Sequence, residues 1–205
     1  MNQQINQIPT SRIEAFSDGV IAIIITVMVF DLKLQEIPTD KTVWSELLKL
    51  TPKFISYAIS FLMLAIMWVN HHQLFHQIKH TDRKLLWYSI HLLFWMSIIP
   101  FGTNFIGANP MLWQASFFYG IIFFMSALSF TMLRNYVLKK DLLHDSISKQ
   151  AHIKIRNKNR IALSIYLLAA FTSIVSVYIS FVLFLVVPTM YFVPEKITHL
   201  NNIEK

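Results

Sequence analysis

The sequence predicts an all-α integral membrane protein with six transmembrane helices per subunit, and three observations carry that expectation. Hydrophobic residues make up 55% of the 205 positions and charged residues only 14%, against about a quarter charged in soluble domains. Apolar runs near the roughly 20 residues that a bilayer crossing requires recur along the whole chain. The basic residues are sorted between alternate connections in the way that orients membrane proteins.

The first span is expected at 13–32, within "SRIEAFSDGVIAIIITVMVFDLKL". Further spans follow it and no small-residue cleavage site does, so it is not expected to be a signal peptide. Residues 34–42 read as an outer loop, and the second span is expected at 54–76. The third, 85–106, ends at "GANPM", a tight turn whose Pro110 suits the first position of the fourth span, 111–133. Residues 134–160 read as a basic cytoplasmic loop with some interfacial helix, carrying Asp141 and Asp145 and punctuated by Ile147, Ile153 and Ile155. The apolar block from Ile161 to Pro194 covers 34 positions. As one helix it would be about 51 Å long, against a hydrocarbon core of about 30 Å. We divide it where Thr172, Ser173, Ser176, Tyr178 and Ser180 cluster, giving spans at 161–177 and 179–194; a single long last helix is the five-span alternative. The whole chain reads as one membrane domain, 1–205.

With an inner N-terminus, the inner segments hold 14 Lys and Arg and the outer segments hold 4, namely Lys33, Lys41, Lys49 and Lys53. Both termini are therefore expected in the cytoplasm, Lys196 and Lys205 included. This sorting accounts for the formal charge of +7 without nucleic acid. No aromatic residues interleave the charges from Lys139 to Arg160, and membrane lipid is the expected partner there. Trp44, Trp68, Trp87, Trp95 and Trp113 read as interfacial anchors.

On a helical wheel, Ile23, Thr26, Val27 and Phe30 fall at about 0°, −60°, +40° and −20° and share one stripe. Gly19 and Val20 extend it. Ser17 and Asp18 lie about 120° and 140° away, on a polar back. A carboxylate at membrane depth needs a partner. His71, His72, His76 and His80 on the second span and His91 on the third are the candidates, with Arg12 completing a cluster. His72, His76 and His80 recur every four residues, as metal ligands can. No Cys exists and no acid stands beside them in sequence, so no metal site and no cofactor is expected. Paired carboxylates at span centres, H-E-x-x-H and G-x-S-x-G are all absent, so an enzyme is not expected. A proton-coupled or metal-ion transporter using Asp18 and the membrane histidines is the alternative to a channel.

The motif R-x-x-x-F-S-D-G, here Arg12, Phe16, Ser17, Asp18 and Gly19, resembles the signature opening the first helix of the transmembrane protein 175 family of potassium channels. The following "VIAIIITVMVFDLKL" and the "WVNHH" of the second span agree, and length and span count resemble its single-repeat prokaryotic members. The resemblance implies a homotetramer in the bacterial plasma membrane, with first helices lining the pore and potassium as the permeant ion. It implies that Ile23 forms the narrowest apolar constriction, that Thr26 contributes potassium preference, and that Val27 and Phe30 form further layers. Phe30 departs from the family, which uses smaller aliphatics there. The resemblance also implies that Arg12, Ser17 and Asp18, with Phe16, knit the first three helices through His71, His72 and His91. No T-V-G-Y-G loop exists, so any selectivity arises without a carbonyl cage. Asp31 at the outer end is a candidate for attracting cations.

Overall fold

The computed structural model describes residues 9–34, 39–144 and 149–191, with backbone alone at 149–152. Asp145, Ile147, Lys196, Lys205, positions 35–38 and the end of the last expected span lie outside the described residues.

Helix α1 (Thr10–Val27) tightens into a 3₁₀ turn, Met28–Asp31. A short helix, α2 (Val43–Lys49), follows, with Trp44 and Leu48 exposed. α3 (Thr51–Phe75) begins with Pro52 in its first turn, where the missing N–H costs nothing. α4 (Arg83–Ser97) is capped by Asp82, whose Oδ1 accepts the Leu85 N–H at 2.7 Å and whose Oδ2 accepts the Tyr136 hydroxyl. α5 (Ile99–Ala108) continues the same run after a break at Ile98. α6 (Trp113–Lys139), α7 (Lys149–Thr172) and α8 (Val177–Tyr191) complete the chain.

Among the described residues, four helical runs are long and apolar enough to cross a membrane: Thr10–Asp31, Thr51–Phe75, Arg83–Ala108 and Trp113–Lys139; Val177–Tyr191 is apolar but shorter. The chain is an all-α integral membrane protein.

Three boundaries differ from expectation. The third span is two helices, because Pro100 has no N–H to donate and its ring crowds the carbonyl four residues back. The region 134–160 is largely helix, since α6 runs on to Lys139 and α7 begins at Lys149. Lys, Arg, Gln and Ala are good helix formers, and Ile155, Asn159, Ala162, Tyr166 and Ala169 place a buried stripe at helical spacing through the basic segment. The last apolar block breaks at 173–176, a few residues before the expected point. There the Thr172 and Ser173 hydroxyls donate to Leu168 and Ala170 carbonyls at 2.8 and 2.6 Å, which offers the backbone an alternative to continued helix.

α6 packs against α4, α5, α7 and α8. A Cβ at Gly120 would lie 2.9–3.0 Å from the Ala170 backbone and side chain, so α6 and α7 approach more closely than any larger residue allows. Ser116 and Ser180 bond across α6 and α8 at 2.8 Å. A backbone bridge, Lys79 N–H to Leu142 C=O at 2.9 Å and His144 N–H to Gln77 C=O at 3.0 Å, clips the α3–α4 link to the segment after α6.

Candidate pore-lining helix and its polar back

α1 packs one side against α3, α4 and α5 and leaves the other uncovered. Ile13, Ser17, Ile21, Ile24 and Met28 are buried. On the opposite side Ile23 is 62% exposed, Val27 43% and Phe30 74%, with Thr26 and Gly19 also exposed. Val20, expected to extend the stripe, instead packs against the core. Thr26 donates its hydroxyl proton to its own helix, with the Ala22 and Ile23 carbonyls both at 3.0 Å. Its oxygen lone pairs remain available as ligands.

Arg12 and Phe16 lie on this uncovered side, both exposed. Arg12 makes no ion pair among the described residues, so it does not complete the expected cluster within one chain. The wheel that defined the stripe puts both residues within about 20° of Ile23; their place was readable and was missed.

The polar back is knit differently from expectation. Ser17 is fully buried, its Oγ 3.4 Å from Ser89 Oγ on α4. Asp18 Oδ1 accepts not from a histidine but from the Trp68 indole N–H at 2.9 Å. His72 Nδ1 instead meets Glu14 Oε1 at 2.9 Å. Trp68, His72 and His76, each one turn apart on α3, stack in sequence with ring centroids 5.8 Å apart at both steps. His71 is fully buried on Phe75 with neither ring nitrogen hydrogen-bonded. His91 is exposed on α4, accepting at Nε2 from Trp95 at 3.2 Å, and does not reach this cluster. Trp68 was read only as an anchor and Glu14 was given no role. Their signals were spacing: Trp68 stands four residues before His72, and Glu14 four before Asp18.

At the other end of α1, two adjacent residues of α5 hold the 3₁₀ turn. Thr103 Oγ1 lies 2.7 Å from Ser60 Oγ and 3.7 Å from Met28 Sδ, and Ser60 bonds Tyr119 at 2.8 Å. Asn104 donates its side-chain N–H to Asp31 Oδ1, beside a cavity lined by Phe101, Phe105 and Asn109.

Fold and site together define a helical membrane protein whose first helix turns an apolar face, interrupted by a single hydroxyl, away from its own bundle. The family model described as "Endosomal/lysosomal potassium channel TMEM175" matches residues 12–100. A potassium channel of Chryseobacterium sp. (strain P1-3) is 36% identical over 185 residues, spanning 90% of this chain and 93% of that one. One of Chamaesiphon minutus is 33% identical, spanning 85% and 89%. The crystal structure of a lysosomal potassium-selective channel TMEM175 homolog from Chamaesiphon minutus superposes with a TM-score of 0.77 at 31% identity, covering 89% of this chain and 96% of that one. The chain belongs to the TMEM175 family.

Proposed function

We propose that the chain is the subunit of a potassium channel in the bacterial plasma membrane, with six spans, both termini cytoplasmic, and the first helices of four copies around a shared axis. Membership in a family of potassium channels supports the activity and argues against an enzyme. The observation that carries the pore assignment is the uncovered face of α1, where Ile23, Thr26, Val27 and Phe30 stand exposed along one line. Against lipid such a face costs nothing, so membership in a family of potassium channels is what supports turning it toward a shared axis. Ile23 then forms a dewetting constriction. Thr26 oxygens replace part of the ion's water and favour potassium modestly, because potassium sheds water more readily than sodium. Asp31 raises cation concentration at the outer mouth.

The transporter alternative draws less support. Asp18 sits behind the stripe against Trp68, rather than on a histidine relay facing the conduction path. The test is reconstitution in planar bilayers with asymmetric potassium and sodium. Ile23→Ala raises current and loosens potassium preference; unchanged conductance and selectivity remove Ile23 from the constriction. A current that saturates at low ion concentration and vanishes in Asp18→Asn returns the transporter reading.

A further inference from the structure

We propose that Glu14, Asp18 and His72 form a binding site for a divalent transition-metal ion, Zn²⁺ being the one their chemistry fits, that ties α1 to α3. One ligand atom from each of the three lies within 4.8 Å of the other two. Glu14 and Asp18 stand one turn apart on the same face of α1, and His72 approaches from α3 with its Nδ1 already 2.9 Å from Glu14. Zinc holds carboxylate oxygen and imidazole nitrogen at about 2.0–2.2 Å. Side-chain rotation alone closes the triad onto an ion; no helix has to move.

Charge favours this. Two carboxylates one helical turn apart repel, and negative charge is costly at this depth in a membrane helix. A divalent cation neutralises both while His72 coordinates as the neutral ring. An imidazole with two carboxylates suits zinc, and an open fourth position remains. The surroundings resemble those of held ligands: the Trp68 N–H fixes Asp18 through Oδ1 and leaves Oδ2 free, the kind of outer contact that orients metal-binding carboxylates. His72 is itself stacked between Trp68 and His76. The His72 side chain is 47% exposed, which gives an ion a way in.

A second observation is independent of the triad. His71 is 0% exposed, neither of its ring nitrogens has a hydrogen-bond partner among the described residues, and it lies within electrostatic reach of Asp18 and His72. A buried polar group without a partner carries a desolvation penalty that nothing offsets. A water bound to the ion offers this ring the partner that the described residues do not.

The sequence argument against a metal was that no acid stood beside the α3 histidines. The fold supplies two, from another helix.

The site does not depend on the channel reading, and binding tests it directly. Full-length protein purified in detergent and stripped with chelator is titrated with Zn²⁺, following heat and thermal unfolding. The expected result is one ion per chain and a rise in Tm. His72→Ala and Glu14→Gln each abolish both, and Trp68→Phe weakens affinity by about 10- to 100-fold. His91→Ala, on α4 and outside this cluster, leaves binding unchanged. Because a substituted chain can fail to fold, X-ray absorption at the zinc edge of the loaded wild type gives a second reading: one imidazole with oxygen donors is expected. Absent binding, binding that persists in both His72→Ala and Glu14→Gln, loss of binding in His91→Ala, or a shell of two or more imidazoles each overturns the proposal.

Discussion

Asp82 shows how much one side chain can organise at a helix end. Burial raises its carboxyl pKa, but the Tyr136 hydroxyl, the backbone N–H groups of Leu85 and Lys84 and the charge of Lys140 outweigh that and hold it below the usual 3.8. A carboxyl depressed on folding contributes stability that is complete above its unfolded value and fades as pH falls through the folded one. Asp82→Ala therefore costs about 0.5–2 kcal/mol at pH 7, and the gap to wild type narrows below about pH 4; thermal unfolding across pH in one detergent checks both. Phe30 makes a different kind of prediction. It is the most exposed member of the α1 stripe at 74%, and in the proposed tetramer a ring there would narrow the outer end of the central path. Phe30→Ala raises single-channel conductance with little change in potassium preference, since the Thr26 oxygens are untouched. If preference collapses instead, selectivity does not reside at Thr26.

Among the elements, α6 and α7 depend on the absence of a side chain at Gly120. Gly120→Val drives two methyl groups into the Ala170 backbone, and overpacking of this kind costs about 1–3 kcal/mol or more. Loss of Tm and of the assembled form in size-exclusion chromatography is the expected outcome, with the conservative Gly120→Ala milder but in the same direction. The α5 grip on the 3₁₀ turn gives another: Thr103→Val removes the 2.7 Å contact to Ser60, which keeps Tyr119 as a partner, and costs about 0.5–1.5 kcal/mol. α1 and its stripe were legible because one strong 3.6-residue period covers an apolar run. The helix over 149–160 was legible only in part, as some interfacial helix, because Lys and Arg at its surface masked a buried stripe as narrow as Ile155, Asn159 and Ala162. The break at Ile98 had a plain signal in Pro100, overlooked inside a hydrophobic run. The pairings of Asp18 and His72 could not be read at all, since which of several polar groups two helices bring together depends on their rotation and depth.

For the molecule as a whole, the uncovered face of α1 makes assembly the central expectation. Measured by light scattering with detergent subtracted, the particle should have four times the mass of the 24.0 kDa chain. Ile23→Lys, which puts like charges on a shared axis, should drive it toward smaller species. A tetramer that survives Ile23→Lys with an unchanged profile means that α1 does not lie at the centre. The sorting of Lys and Arg, 14 against 4 in the sequence, predicts that the ends face the cytoplasm, and accessibility labelling of single cysteines introduced at Lys41 and at Lys158 checks it.

The bond from Thr26 back to the carbonyls of its own helix has a consequence for the sign of the ion. On the axis proposed above, with its proton committed inward, the hydroxyl would stand as an acceptor with nothing to donate. A chloride or nitrate arriving at that level loses water and is offered no hydrogen in return. If Thr26 lines the pore as proposed, anions would be refused by bond polarity, with no need for a fixed negative charge on the axis.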